Sequence, residues 1–266
     1  MSTLQISYNP PQILVGSAQS VGLQRDHNED SIYCLNSIIS DESMQLPFGL
    51  FIIADGMGGH LHGEVASGAA VRALADYIAR RLIPSVIGFD NDMQNESLQE
   101  ILDNGVREAQ QAVLRRAPGG GTTLTSALLV GEQVTLAHVG DSRAYFLYSD
   151  GRIQLMTQDH SLVKRLVDLG QLTEEQARVY PQKNVLYRAL GQLEPFKPDI
   201  FTHMIPHPGY MVLCSDGLWG VVSDLEIFNI VTSAPSPSEA CRGLIEAANN
   251  AGGPDNISVI VVQYLN

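Results

Sequence analysis

Two apolar segments of the chain each end in an Asp-Gly pair. Residues 48–54 run into Asp55-Gly56, and residues 210–215 run into Asp216-Gly217. The pattern predicts two buried strands that each carry one carboxylate at the tip, where the glycine lets the backbone turn away. One such pair is an ordinary turn. Two pairs, in a chain with further acids at the ends of apolar runs, predict carboxylates gathered around hard cations.

Further acidic residues stand beside predicted strands. They lie in Arg25-Asp26-His27-Asn28-Glu29-Asp30, Gly140-Asp141-Ser142-Arg143 and Gly253-Pro254-Asp255-Asn256. Any one of these acids, taken alone, is most simply a turn residue or a helix cap. Asp150-Gly151 provides an internal control, because it lies between two alternating strands in the setting of a hairpin turn and is interpreted as structural. Unrelated turns would not all need Asp at a strand end, which favours the metal interpretation.

The types of ligand narrow the choice of metal. Oxygen ligands without a nearby cysteine or a zinc-spaced histidine pair favour Mg²⁺ or Mn²⁺ over Zn²⁺. His60 and His62 could bind a metal from an irregular loop, but the surrounding acids make this the weaker interpretation. Two ions about 4 Å apart lower the pKa of a bridging water and stabilise in-line attack on phosphorus. Arg25 suits bidentate capture of phosphate, the alternative being a surface salt bridge.

Composition excludes several functional classes. The chain has 266 residues, enough for one large domain or two small ones, and a net charge of -13. That charge argues against nucleic-acid binding, which needs a basic face. The start lacks a basic and an apolar signal region, and no apolar stretch reaches the roughly 20 residues of a membrane helix. The three cysteines are far apart in apolar surroundings. We therefore expect a cytoplasmic protein with reduced thiols and no membrane contact.

The order of the predicted elements favours packed antiparallel sheets flanked by helices, since helices come in pairs rather than after every strand. Residues 1–12 are predicted to be a loose arm, and Pro84 with residues 90–96 a loop. The polar segment 157–200, called the flap below, is predicted to lie outside the main sheets. Strands are predicted at 13–19, 30–36, 49–54, 122–130, 133–139, 144–149, 152–156, 210–215 and 257–265, and helices from Gly63, at 97–116, after Ser223 and at 238–249.

At these residues the chain resembles the metal-dependent Ser/Thr protein phosphatases of the protein phosphatase 2C class, the PPM family, in its bacterial branch. The matching motifs appear in the family's order and span nearly the whole chain. They are Arg25-x-x-Asn28-Glu29-Asp30, Asp55-Gly56-Met57-Gly58-Gly59-His60 with Gly63-Glu64, Gly121-Thr122-Thr123, Gly140-Asp141-Ser142-Arg143, Ser215-Asp216-Gly217-Leu218 and Gly253-x-Asp255-Asn256.

The resemblance implies an α+β fold, a four-layer α-β-β-α sandwich of two antiparallel sheets flanked by helix pairs. Residues 13–266 would form a single catalytic domain, with residues 157–200 as the flap that gates substrate access. Two Mn²⁺ or Mg²⁺ ions would be bound, and a weaker third ion is expected at Asp141 with Asp216 shared. The residues implied to hold the first two ions are Asp55 as the bridge, the Gly56 carbonyl, Asp216, Asp255, and Glu29 or Asp30. Arg25 matches the phosphate-binding arginine.

The implied reaction is hydrolysis of phosphoserine and phosphothreonine in proteins by metal-activated hydroxide at the dinuclear site. Implied partners are phosphorylated Ser/Thr proteins and a cognate Ser/Thr kinase system in signalling, with the phosphatase itself a monomer. Many eukaryotic members of the family carry a His directly after Asp-Gly, proposed as the acid that protonates the leaving alcohol, where this chain has Met57. His60 is then the candidate proton donor, the alternatives being a metal-bound water for the proton and helix capping or substrate positioning for His60.

Other functions stay open from the residues alone. A non-catalytic phosphoprotein-binding module on the same fold would be expected to have lost a metal carboxylate, whereas Asp55, Asp216 and Asp255 are all present. Another phosphoester hydrolase with the same ions would differ only in its substrate. A cysteine-phosphatase mechanism is disfavoured, because no cysteine is followed by an arginine six positions later.

Overall fold

Two antiparallel sheets of five strands each form the centre of the structure, a computed structural model that describes residues 12–40, 45–58, 62–86, 96–192 and 196–265. The strands are β1 (Gln12–Ser20), β2 (Ser31–Ser40), β3 (Gln45–Ala54), β4 (Gly56–Met57), β5 (Gly121–Thr122), β6 (Leu124–Val130), β7 (Gln133–Val139), β8 (Arg143–Tyr148), β9 (Ile153–Leu155), β10 (Asp199–Met204), β11 (Gly209–Cys214) and β12 (Ile257–Leu265). One sheet has the order β1-β12-β11-β8-β9 and the other β10-β7-β6-β3-β2, while β4 pairs with β5.

The described residues include seven helices, of which α3 and α4 lie in the flap. They are α1 (His62–Val86), α2 (Leu98–Arg116), α3 (Leu162–Asp168), α4 (Glu174–Arg178), α5 (Asp216–Trp219), α6 (Asp224–Ser233) and α7 (Pro237–Asn250). Helices α1 and α2 share a buried cluster with the β3-containing sheet, and α6 and α7 share one with the β11-containing sheet. A third cluster joins the inner faces of the two sheets. The layers are therefore α-β-β-α, which confirms the predicted fold class.

Alternation along the central strands explains this layering. In β3, Phe51 and Ile53 enter the cluster between the sheets, whereas Leu50 and Ile52 enter the cluster under α1 and α2. Successive side chains of a strand point to opposite faces, so a strand covered on both faces is apolar at every position. This is why residues 48–54 form an unbroken apolar run.

Side-chain caps fix the starts of the helices. Ser97 begins α2 with a capping box to Glu100, and Thr173 begins α4 with one to Gln176. Ser223 caps α6 through the backbone N–H of Glu226. These contacts satisfy backbone donors that have no partner inside the helix. The sequence patterns Thr173-Glu174-Glu175-Gln176 and Ser223-x-x-Glu226 are typical of such caps, and the structure shows both.

Several predicted boundaries were wrong. Pro84 lies inside the last turn of α1 rather than in a loop, because Leu82 beside it is fully packed into the core and keeps the helix going. The segment 157–200 is not wholly outside the sheets, since its end begins β10, which pairs with β7 as an edge strand. The predicted arm 1–12 lies outside the described residues except for Gln12, which begins β1, and so do residues 90–95 of the predicted loop.

The flap is tied to the sandwich where its chain returns. Thr122 and Leu190 exchange two backbone hydrogen bonds, of 3.1 and 2.9 Å. The buried amide of Gln110 on α2 accepts from Gly191 N at 2.7 Å and donates to Gln192 O at 2.6 Å. Between these ties and the start of the flap lie α3 and α4. In the described part of the chain no helix is long and apolar enough to cross a membrane.

The packing of β6 between the sheets and helices gives a test of the fold. Leu128 is fully buried against the helix layer, so Leu128→Ala should lower the free energy of unfolding by about 2–5 kcal/mol in urea denaturation. Leu225 on α6 is 69% exposed, and Leu225→Ala should stay within about 0.5 kcal/mol of the wild type. Equal losses in the two variants would contradict the assigned layers.

Candidate active site

A cavity of about 820 Å³ opens at one end of the sandwich, where β3, β7 and β11 end and β2, β8 and β12 begin. Several residues predicted from the sequence line it: Arg25, Glu29, Asp55, Gly56, Asp141, Asp216 and Asp255. Asp30 is buried behind this wall, and His60 lies outside the described residues. Both sheets therefore contribute carboxylates to one cavity.

Asp55 is fixed where β3 ends. Its backbone N–H donates to Thr123 Oγ1 at 2.9 Å, and its carbonyl accepts from Thr123 N and Thr122 Oγ1, each at 2.9 Å. Burial raises the pKa of its carboxyl well above the ordinary range, and the charges of Asp30, Asp216 and Asp141 raise it further. The backbone is thus held rigidly while the carboxylate is surrounded by like charges.

Asp30 and Asp216 each have one buried carboxylate oxygen without a hydrogen-bond partner in the described part of the chain. The other oxygen of Asp30 accepts from the hydroxyls of Ser215 at 2.9 Å and Ser258 at 2.7 Å. Burial, partly offset by these hydrogen bonds, raises the pKa of Asp30 to about 7. Burial and then the charge of Asp255 raise the pKa of Asp216 to about 6. A buried, unpaired carboxylate oxygen is costly without a cation.

Asp141 lies in the turn between β7 and β8, and its neighbours are held from two sides. The indole N–H of Trp219 donates to the Asp141 carbonyl at 3.0 Å. The hydroxyls of Ser142 and Thr123 lie 2.8 Å apart, which links this turn to the end of β3. Burial, then Asp216 and Asp159, raise the pKa of the Asp141 carboxyl well above its usual range. Asp141 therefore belongs to the same group of mutually repelling acids.

Arg25 brings positive charge to the cavity rim. Its Nη2 lies 2.7 Å from Asp255 Oδ2, and its side chain is about half exposed. That hydrogen bond is the main cause that raises the pKa of the guanidinium, which therefore stays charged. The remaining donors of the planar guanidinium suit a phosphate.

Asn256 positions the loop that carries Arg25 and Glu29. Its Oδ1 accepts from Glu29 N at 2.8 Å, and its Nδ2 donates to the carbonyls of Val21 and His27, each at 2.9 Å. Asn256 belongs to the Gly253-x-Asp255-Asn256 motif, but its role could not be predicted from the sequence, because its partners are more than 200 residues away in the chain. A polar residue directly after a site Asp was the signal available.

Residues 15–257 match the protein phosphatase 2C family. The chain belongs to that family. The serine/threonine phosphatase stp of Listeria innocua is 37% identical over 248 residues, covering 91% of this chain and 92% of that protein. The crystal structure of the Mycobacterium tuberculosis serine/threonine phosphatase PstP/Ppp is 34% identical, with a TM-score of 0.77, and the match covers 94% of this chain and 98% of that one.

A further structure connects the family with metal. The catalytic domain of the serine threonine protein phosphatase PstP, in complex with 2 manganese ions, has a TM-score of 0.77 and 33% identity to this chain, with 97% of this chain and 100% of that one covered. The family is a class of metal-dependent phosphatases, and this protein phosphatase 2C member is an enzyme of that class.

The residues of this phosphatase fit divalent cations by their chemistry. Among the described residues, no three His, Cys, Asp or Glu side chains already surround a common point as a ready ligand set. The fit rests instead on oxygen donors alone, on the unpaired buried oxygens of Asp30 and Asp216, and on raised carboxyl pKa values. Oxygen ligands of this kind bind Mg²⁺ and Mn²⁺.

Gly56 and Met57 occupy the cavity wall directly after Asp55. A Cβ on Gly56 would come within 2.6 Å of the Glu29 carbonyl and would also meet the backbone of Gly63. Glycine is therefore required for the close approach of β4 to the start of α1. The thioether of Met57 has no proton to donate. His27 also lines the cavity, with Nε2 3.4 Å from Glu29 Oε1, although no catalytic role was predicted for it from the sequence.

The raised carboxyl pKa values predict how the metal-free phosphatase responds to pH. On folding, the pKa of the Asp30 carboxyl rises from 3.8 to about 7, and the pKa of the Asp216 carboxyl rises from 3.8 to about 6. The folded state thus binds more protons than the unfolded state, so the stabilisation is complete below pH 3.8 and is lost as pH rises through 6 to 7. In EDTA, which keeps the protein free of metal, we expect the loss of this stabilisation to lower the Tm by several degrees between pH 5 and pH 8.

Asp30→Asn provides the matched control for this pH dependence, because the amide keeps the shape and cannot ionise. Its Tm in EDTA should fall less steeply between pH 5 and pH 8 than that of the wild type, as followed by thermal unfolding. Identical slopes in the two proteins would contradict a raised pKa at Asp30.

Proposed function

We propose that this phosphatase hydrolyses phosphoserine and phosphothreonine in proteins at a site that binds two Mn²⁺ or Mg²⁺ ions. The observation that carries the proposal is a single cavity in which Asp55, Asp141, Asp216 and Asp255 stand beside Arg25. The names of the relatives support the substrate class, and the two-manganese complex of PstP supports the metals. Residues 13–266 would act as one catalytic domain.

The assignment of ligands follows the positions around the cavity. Asp55 would bridge two ions, the Gly56 carbonyl would contact one of them, and Asp216 with Asp255 would complete one shell. Glu29 or Asp30 would serve the other side, and Asp141 with Asp216 would hold a weaker third ion. When bound, such cations polarise water towards attack and neutralise charge on the phosphoryl group.

Arg25 binds and orients the phosphate in this proposal. The phosphatase carries a net charge of -13 and a group of buried acids, so a phosphate dianion entering the cavity alone would be repelled. Asp255 Oδ2 holds the Arg25 guanidinium at 2.7 Å on one edge. The other edge stays available for bidentate hydrogen bonds to phosphate oxygens.

Ser215 and Ser258 orient Asp30. Both hydroxyls donate to Oδ2, and Oδ1 is the oxygen that has no hydrogen-bond partner among the described residues. The hydroxyl of Ser215 also accepts from Ser258 N at 2.9 Å, so β11 and β12 hold the carboxylate together. Asp30 therefore acts as a fixed acceptor rather than a mobile base.

The departing alcohol needs a proton that Met57 cannot supply. We propose His60, the candidate predicted from the sequence, as the residue that donates this proton. His27 is a second candidate, because it is the histidine that lines the cavity among the described residues and lies 3.4 Å from Glu29. A chain with all its acids in place is not expected to be a binding module without turnover.

The remaining proposals concern the cellular setting. We propose a cytoplasmic monomer that opposes a cognate Ser/Thr kinase in signalling; the bacterial relatives, which are named as a serine/threonine phosphatase and a protein phosphatase, support the phosphoprotein substrates. Phosphorylated proteins are the substrates in this setting. Another phosphoester hydrolase activity would be recognised by a phosphopeptide turning over more slowly than a small phosphate ester.

The metal proposal is tested by activity with and without cations. Hydrolysis of a phosphothreonine peptide and of p-nitrophenyl phosphate should require added Mn²⁺ or Mg²⁺, and Asp55→Asn should lower kcat/KM by about 100-fold or more, since loss of a bridging ligand exceeds loss of an outer-shell partner. Asp150→Asn in the exposed hairpin turn should keep wild-type activity. Turnover that survives EDTA would refute the proposal.

The role of Arg25 is tested separately. Arg25→Ala should lower kcat/KM for the phosphopeptide about 10- to 100-fold, because it removes a charge-assisted contact to phosphate, while Arg25→Lys keeps the charge and should lose less. Arg152→Ala removes an exposed arginine of the Asp150 ion pair and serves as the control. If Arg25→Ala and Arg152→Ala have the same kinetic constants, then Arg25 does not bind phosphate and its role is limited to the surface salt bridge with Asp255.

A further inference from the structure

Two buried histidines, His138 of β7 and His160 at the start of the flap, lie next to each other outside the carboxylate site. His138 on β7 is fully buried and His160 is 2% exposed, and their ring centroids are 4.9 Å apart. Neither side chain lines the cavity. Their position where the start of the flap meets the turn of Asp141 indicates a role that the proposed reaction does not yet use.

His160 holds the turn that presents Asp141. Its backbone N–H donates to Gly140 O at 2.7 Å, and its ring Nδ1 accepts from Gly140 N at 3.1 Å. Because Nδ1 accepts from a backbone donor, the ring proton belongs on Nε2. That nitrogen lies 3.0 Å from Asp199 Oδ2 at the start of β10 and donates to it.

The same residue holds both ends of the flap. Tyr187 N donates to the His160 carbonyl at 2.9 Å, and the two rings lie 5.7 Å apart. Arg188, next along the returning segment, pairs with Asp199 at 2.7 Å and lies 3.0 Å from His160 Nε2. His160 therefore contacts the entering segment, the returning segment and the edge strand.

The preceding residue supports the turn from its other side. Asp159 holds Arg143 by two hydrogen bonds of 3.0 and 2.7 Å, and the Arg143 guanidinium lies 3.6 Å from the centroid of the Trp219 ring. Trp219 in turn donates to the Asp141 carbonyl. The turn of Asp141 is therefore held directly by His160 and, through Arg143 and Trp219, by Asp159.

We propose that His160 is a positioning residue that couples the flap to Asp141, so that cation binding at the Asp141 side of the cavity steadies the flap. The coupling rests on the proposed cation site. The coupling is reciprocal. If cation binding favours the ordered flap, then a phosphopeptide that orders the flap must strengthen cation binding by the same factor. The coupling runs through one imidazole with a partner on each side.

Two substitutions separate the halves of this link. His160→Asn places an amide oxygen near the position of Nδ1, so Gly140 keeps its acceptor while the reach to Asp199 is lost. His160→Gln places its amide near Nε2, so the Asp199 side is kept and the Gly140 side is lost. Asp199→Ala breaks the same link from a half-exposed edge strand, where folding is not at risk.

Hydrogen exchange of flap peptides within residues 162–190 is measured with and without saturating Mn²⁺, and Mn²⁺ affinity is measured by calorimetry. In the wild type, Mn²⁺ should slow flap exchange about fivefold or more, the lower end of common allosteric couplings. In His160→Asn, His160→Gln and Asp199→Ala, the slowing should fall below twofold. Asp76→Ala, which removes an ion pair on α1, should behave as the wild type.

Each contrary result is distinct. Mn²⁺ binding that leaves flap exchange unchanged in the wild type overturns the coupling alone, and no Mn²⁺ binding at all overturns the proposed function with it. Variants that exchange faster by the same factor with and without Mn²⁺ would reduce His160 to a packing residue. If a His160 variant does not fold, Asp199→Ala decides: wild-type slowing in that protein overturns the proposal.

Discussion

Repulsion among closely placed carboxylates is the constraint on which the rest of the structure depends. Asp30 and Asp141 are buried, Asp55 and Asp216 are partly buried beside them, and desolvation with the neighbouring charges raises the pKa values of all four carboxyl groups. Desolvated like charges separate unless the scaffold prevents it. The sandwich prevents it by placing each acid on a different strand end of two sheets that share a large apolar core. The unfavourable electrostatic free energy of the site is thus offset by the packing of the whole fold.

Small hydroxyl residues connect the strand ends to one another. Thr123 accepts from Asp55 N and contacts Ser142, and Ser215 and Ser258 both donate to Asp30. These bonds cross between separate segments of the chain, so the backbone of Asp55 and the carboxylate of Asp30 are both held by neighbouring segments. If these acids bind cations as proposed, such contacts would orient them before any ion binds.

Local patterns predicted the layers, while pairings between distant residues could not be read from the sequence. The apolar run before Asp55 and the caps at Thr173 and Ser223 follow from period and short-range hydrogen bonds. Edge strand β10 was missed because it alternates weakly and is half-exposed. Asn256 and His160 act through partners that only the fold brings near. The positions of the site acids were predictable because strand ends meet at one edge.

The ties at the base of the flap have a consequence for how this protein can diversify. Thr122 and Gln110 close the returning chain onto the sandwich at Leu190, Gly191 and Gln192. The segment between residues 161 and 190 is therefore a loop whose two ends are fixed, and lengthening such a loop costs little free energy. New substrate preferences can therefore arise by insertion or deletion between those ends, without any change to the strands that carry the acids.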